Sequence, residues 1–156
     1  MLWRRKIEPY TRPLFRIVSR LVRGLTLGVR GMVIDEAGRV LLIQHTYTPG
    51  WHMPGGGVER GETIEEALAR ELVEEAGIEM VGRPQLLSVH SNHVIFPGDH
   101  VLVYRVDHWR AVPATSKGEI HAVEWFAPDA LPDEITKGTR RRIEEAFAAS
   151  ETHPLW

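Results

Sequence analysis

Glu71, Glu74 and Glu75 stand within a single short stretch, and a run of three glycines, Gly55-Gly56-Gly57, precedes them. Carboxylate oxygens in such a cluster suit a hard divalent cation, Mg²⁺ before Mn²⁺. Glycines let the backbone approach an ion or a phosphate without a side chain in the way. Glu59, Glu62, Glu65 and Glu66 add to the acidity of the same region. An anionic ligand would be repelled there unless cations intervened, so the pattern points to a metal-assisted site rather than to a bare anion pocket.

The element that positions these carboxylates is a helix predicted over 64–76. Thr63 is a suitable N-cap, Glu66 three residues on completes a capping box, and Gly77 supplies a left-handed end. Ile64, Leu68, Leu72 and Ala76 form its apolar stripe. At about 100° per residue, Glu75 lies about 20° from Leu68 and Glu71 about 60° from it, with Glu74 further round the same flank. The same geometry places Arg70 and Glu66 on the solvated side. A glutamate-rich helix is ordinarily a solvated face, but here every small term opposes folding. The Glu71/Glu75 pair costs roughly 0.2–0.5 kcal/mol, and negative charge in the last turn opposes the helix dipole by about 0.3–1 kcal/mol. A bound cation reverses the sign of each.

Gly56, Glu62, Arg70, Glu71, Leu72, Glu74, Glu75, Gly77 and Ile78 match the Nudix box without substitution. With background usage near ~7% per residue type, the seven fixed identities arise by chance on the order of once in 10⁸ start positions. The chain thus resembles the Nudix hydrolases from about Leu25 to Leu131; Glu124-Trp125-Phe126 resembles the family's later strand. The resemblance implies an α/β fold, an α/β/α sandwich around a mixed β-sheet, with Mg²⁺ or Mn²⁺ as cofactor. It implies metal ligation by Glu71, Glu74 and Glu75, joined by the backbone carbonyl of Gly55. The implied reaction is hydrolysis of the diphosphate linkage in a nucleoside diphosphate joined to another group. Glu62 and Arg70 are read as an ion pair orienting the helix and loop, and Arg70 is kept among the catalytic candidates. The general base varies in this family. Glu119 is the first candidate and shares the field with a solvated-loop reading, while Glu71 or Glu74 could serve instead. Removal of pyrophosphate from RNA 5′ ends, and a non-catalytic nucleotide sensor, are the alternative functions. Such sensors usually lose box glutamates, and this chain keeps them all.

Around the box, Trp51, His52 and His93 are candidates for contacting substrate. Trp51 and Tyr47 could stack on a base or simply pack their loops. No cysteine is present and the histidine spacing fits no zinc motif, so a dedicated zinc site is not expected. Strands are predicted over 25–34, 39–45, 85–93, 101–109 and 120–126, with a short one at 51–53. A closing helix is predicted over 134–149, with Ile135, Ile143, Ala146 and Phe147 inward. Residues 1–24 read as a basic amphipathic arm ahead of a Nudix domain at 25–156, carrying Arg4, Arg5, Lys6, Arg12, Arg16, Arg20 and Arg23. Its short apolar stripe suits docking on the domain or on a second copy of the chain better than a membrane surface. The 156 residues, net charge of −2 and ordinary apolar fraction of 43% fit one soluble domain. No DNA partner is expected, and the lack of cysteine suits the cytoplasm.

Overall fold

The structure is a computed structural model that describes residues 24–116, 118–148 and 150–156. In chain order the elements are β1 (Thr26–Val33), β2 (Val40–His45), β3 (Trp51–His52) and α1 (Ile64–Glu71), which runs on as one π-helical turn (Leu72–Ala76). Then come β4 (Ile78–Met80), β5 (Gln85–Ser91), β6 (Asp99–Val106), β7 (Trp109–Ala111), β8 (Ile120–Phe126) and α2 (Lys137–Ala148). β1 pairs parallel with β6, which pairs antiparallel with β5, giving a mixed sheet. β2 lies between β3 and β8, both antiparallel, and β4 pairs with β7. The basic arm falls outside the described residues. Among those described, no helix is long and apolar enough to cross a membrane.

Strand alternation builds the two layers of core. Side chains two apart along a strand share a face. Val29 and Val33 of β1, Leu41 of β2 and Leu102, Tyr104 and Val106 of β6 therefore meet Ala67, Leu68 and Leu72 of the first helix. Met32, Val40, Leu42 and Val103 point the other way, toward Trp51, Met53, Ile135 and Ile143. Helices thus cover opposite faces, the α/β/α sandwich expected. Gly31 lets the first helix lie close on β1, since a Cβ there would come within 2.9 Å of Leu72 Cδ2 and 3.2 Å of Leu68 Cδ1. Both leucines are fully buried. Gly31→Ala is expected to cost about 1–3 kcal/mol by overpacking, readable as a lower urea midpoint with an unchanged slope.

The C-terminal residues close the open edge of β5. Ser91 N–H donates to Pro154 O at 2.9 Å and Trp156 N–H to Ser91 O at 3.0 Å. Behind them lies a buried polar network: Arg142, on α2, donates to Glu145 at 2.6 Å and to Leu155 O at 2.8 Å. His90 sits fully buried in it, its Nε2 2.7 Å from Ser88 Oγ. Only 1% of the Arg142 side chain is exposed. Glu145→Ala would strand a buried cation, and a loss of about 3 kcal/mol is expected in thermal or urea unfolding.

Several boundaries differ from the sequence reading. The closing helix begins at Lys137 rather than at 134, because Ile135 bridges in parallel to Trp51 and Thr136 N–H donates to Trp51 O. Ile135 is buried from that extended segment, and Phe147, expected inward, is 40% exposed. The strand expected over 101–109 breaks after Val106. Trp109 belongs to β7, donates to Ile34 O at 2.9 Å and stacks on Trp125 at 5.2 Å.

Candidate active site

The glycine run lies antiparallel along β1. Val29 N–H donates to Gly56 O at 2.9 Å, Gly31 N–H to Pro54 O at 2.8 Å and Val58 N–H to Leu27 O at 2.8 Å. This pins the loop against the sheet and beside the end of the first helix. Gly55 takes φ +139, a conformation open to glycine and strained for other residues. Gly56 faces the Glu71 carboxylate so closely that a Cβ there would collide with it.

The helix itself follows its sequence at both ends. Thr63 and Glu66 form the capping box, with Glu66 N–H on Thr63 Oγ1 at 3.2 Å and Thr63 N–H on Glu66 at 2.6 Å. Gly77 ends it in the left-handed region. Between them the uniform advance of 100° fails. From Leu72 the turn widens to π geometry, a local distortion frequent at functional sites. Glu75 is buried, as its place beside Leu68 on the wheel implied, and its Oε2 accepts the Gly55 amide at 2.8 Å. Glu71 is almost as enclosed, while the Glu74 side chain is 43% exposed.

Arg70 does not stand on the solvated side as the helical wheel placed it. Its guanidinium reaches Glu62 at 3.0 Å, Glu71 at 2.8 Å, Glu74 at 3.4 Å and Gly57 O at 3.1 Å. The expected Glu62–Arg70 pair is present and ties the loop to the helix. Its hydrogen bonds raise the Arg70 pKa, Glu62 contributing most, and the same pair lowers that of Glu62.

Glu75 is the electrostatic anomaly. Burial pushes its carboxyl up to about 7, helped by the charges of Glu71 and Glu119 and opposed by the Gly55 amide and by Arg30. Two residues the sequence reading passed over surround it. Arg30, given no role from the sequence, projects from β1 to the Met53 and Gly55 carbonyls. His45, at the end of β2, places Nε2 3.7 Å from Glu75 Oε1. Burial and Arg30 lower the His45 pKa, so its imidazole is held neutral. An inward polar residue on an otherwise apolar strand was the available signal for both.

The remaining candidates separate. Glu119, exposed at the start of β8, is held by Thr46 N–H on its carbonyl at 2.9 Å, and its charge reaches Glu75 and His45. His52 packs edge-on against His45 at 5.6 Å, with Nε2 3.2 Å from Pro49 O, so it joins the site's border. Trp51 is buried against Phe126 at 5.0 Å; it is a core residue, with no face free for a base. Tyr47, by contrast, is exposed beside His45. His93 stands exposed on the β5–β6 turn, bonded to Ser91 at 2.9 Å, and no hydrogen bond among the described residues joins it to the carboxylates. His90 is withdrawn into the network under the C-terminus. A large concavity lined by Asp35, Arg39, Arg105, Asp107, His108 and Trp109 lies at the far end of β1 and shares no residue with this site.

Among the described residues, no three carboxylate or imidazole groups stand close enough together to grip an ion as placed here. In this arrangement Arg70 pairs with Glu71 and Glu74, the Gly55 amide donates to Glu75, and Arg30 donates to the Gly55 carbonyl.

A glycine loop zipped to β1, with glutamates delivered to it by the following helix, defines the Nudix class of fold and site. Residues 24–147 match the NUDIX domain family. A MutT-like protein of Streptomyces ambofaciens is 34% identical over 128 residues, 82% of this chain and 80% of that protein. The NAD-capped RNA hydrolase NudC of Klebsiella pneumoniae is 36% identical over 118 residues, 73% of this chain but 44% of that protein, so this chain spans less than half of it. The crystal structure of a MutT NUDIX hydrolase from Burkholderia pseudomallei superposes with a TM-score of 0.67 at 31% identity, over 78% of this chain and 97% of that one. The chain belongs to the Nudix hydrolase family.

Proposed function

We propose that this Nudix hydrolase cuts the diphosphate linkage of a nucleoside diphosphate joined to another group, using Mg²⁺ or Mn²⁺ held by Glu71, Glu74, Glu75 and the Gly55 carbonyl. The observation that carries this reading is Glu75. A carboxyl buried beside Glu71 and pushed up to about 7 is one whose charged form the fold disfavours despite the Gly55 amide and Arg30, and a cation would favour it. The donor set is all oxygen, as Mg²⁺ and Mn²⁺ prefer. The glycine cradle leaves Glu71 room that any side chain at 56 would fill. The residues present therefore fit the ion.

When bound, the ion supplies neutralisation of the diphosphate and a lower pKa for an attacking water. The chain's own groups do the rest. Arg70 orients Glu71 and Glu74 through hydrogen bonds already in place. Glu119, or a box glutamate, accepts the proton as the water oxygen bonds to one phosphorus and the bridging oxygen leaves with the other phosphate. His52, and Tyr47 beside His45, border the space where the remainder of the substrate would lie.

One relative's name gives NAD-capped RNA as its substrate, and such a cap carries a phosphoanhydride between two nucleosides. A panel of free nucleoside diphosphate derivatives, beside RNA oligonucleotides carrying a 5′ triphosphate or a dinucleotide cap, separates the readings. Turnover of a free nucleotide into two phosphorylated products supports the proposal. Cleavage confined to RNA ends would replace it with the RNA-processing reading, and nucleotide binding without any cleavage would leave a sensor.

A further inference from the structure

On the sheet face that carries the first helix, the helix's cover stops short of β5. Paired residues of neighbouring strands share a face, so Val29, Leu102 and Val89 form one row across β1, β6 and β5. Val29 and Leu102 are buried in the core beneath the helix, whereas Val89 is 51% exposed. In the next row Leu27, level with His100 and Ser91, is also exposed. At that same end of the sheet the β5–β6 turn holds Val94, Ile95 and Phe96 in solvent, and Leu25 stands exposed where β1 begins. An apolar surface of this kind on a single domain ordinarily marks a place where something docks.

The segment placed to cover it is the chain's own start. Thr26 N–H donates to Gly98 O at 3.2 Å, and a Cβ on Gly98 would collide with the Gly24 carbonyl. Residues 1–23 therefore join the sheet at the margin of the exposed face. Their sequence carries a matching stripe, Leu14, Ile17, Val18, Leu21 and Val22 at helical spacing, with Arg16, Arg20 and Arg23 off it. We propose that residues 14–22 dock as an amphipathic helix on the face formed by Leu27, Val89 and the 94–96 turn, with the arginines toward water. Such a helix would be about 13 Å long, enough to cross from β1 to β5, about 10 Å at two strand spacings. A tether this short gives the segment an effective concentration in the millimolar range, which favours the chain's own arm over that of a second copy.

Amide hydrogen exchange on the full chain tests this, with Val89→Glu and Phe96→Glu on the face and Leu21→Glu in the arm. Val89 and Phe96 are exposed, so neither substitution removes core packing. In the wild type the amides of 14–22 are expected to exchange slowly, and either face variant is expected to speed them at least about tenfold. Leu21→Glu should speed them likewise and raise the fluorescence of a dye that binds apolar surface, because the face is then bare. Fast exchange of 14–22 in the wild type, or exchange indifferent to both face variants, overturns the proposal. Protection that is lost on dilution would give the face to a second copy. Wild-type protein that sediments with vesicles of anionic phospholipid would give the arm to a membrane surface. Each of these outcomes overturns docking within one chain. None of the readouts depends on turnover, so failure here leaves the hydrolase reading untouched.

Discussion

Glu75→Gln is expected to abolish metal-dependent turnover, by at least about 10³-fold, while making the metal-free protein more stable above neutral pH. On the proposed metal assignment, the first effect follows from losing a charged ion ligand at the centre of the site, where several kcal/mol of charge stabilisation is at stake. The second follows from linkage. The Glu75 pKa rises from the usual 4.5 of a glutamate to about 7 in the folded protein. Below the lower value the folded and unfolded states are both protonated, and the full stability is present. As pH rises through that window the unfolded chain loses its proton first, so stability falls, and the loss is complete above the folded value. At 1.36 kcal/mol per unit this is on the order of 3 kcal/mol. Glutamine cannot titrate, so urea unfolding of the variant in chelator should lose this slope and show a higher midpoint at alkaline pH. A variant as pH-dependent as the wild type would show that Glu75 is not the perturbed group. Added Mg²⁺ should stabilise the wild type and leave the variant nearly indifferent.

Gly56→Ala should also dissociate stability from activity, here with stability nearly unchanged. A Cβ at 56 would occupy the space of the Glu71 carboxylate, the far end of a flexible side chain that can swing toward solvent. Stability should therefore change by less than about 1 kcal/mol. Moving Glu71 away from the glycine loop removes one of the proposed ion ligands and loosens its bond to Arg70. Loss of turnover on the order of 10²-fold is expected, with most of it recovered at high Mn²⁺ if the defect is in ion affinity. A variant that keeps full turnover at low metal would show that Glu71 is not needed where the structure puts it.

These two residues also show how far the sequence could be read. The capping box at Thr63 and Glu66, the end at Gly77 and the Glu62–Arg70 pair each depend on local spacing, and all are present in the structure. The π turn left no such mark: its residues are ordinary helix formers, and the widening arises where the helix end meets the glycine loop and β4. The burial order of the three glutamates, Glu75 and Glu71 enclosed and Glu74 half outside, is nevertheless the one the helical wheel gave. Arg70 was misplaced by the wheel because a long side chain can bend back across its own helix. β4 and β7 were missed because three-residue strands carry too short a pattern to register. Trp51 was undecided from sequence, since an aromatic in a short strand serves packing or stacking equally well until its neighbour Phe126 is known. Arg30 and His45 carried only the weak local mark of a polar residue in an apolar strand, and long-range approach to the glycine loop and Glu75 makes them site residues.

The most direct test of the account is product release from a panel of nucleoside diphosphate derivatives, with Mg²⁺ or with chelator, by the wild-type protein and by Glu74→Gln. Glu74 is the half-exposed carboxylate of the three, so this substitution should disturb the fold least. The account predicts cleavage of at least one compound that requires the metal and is lost in the variant. Cleavage that persists in chelator, or that Glu74→Gln performs as well as the wild type, would contradict it.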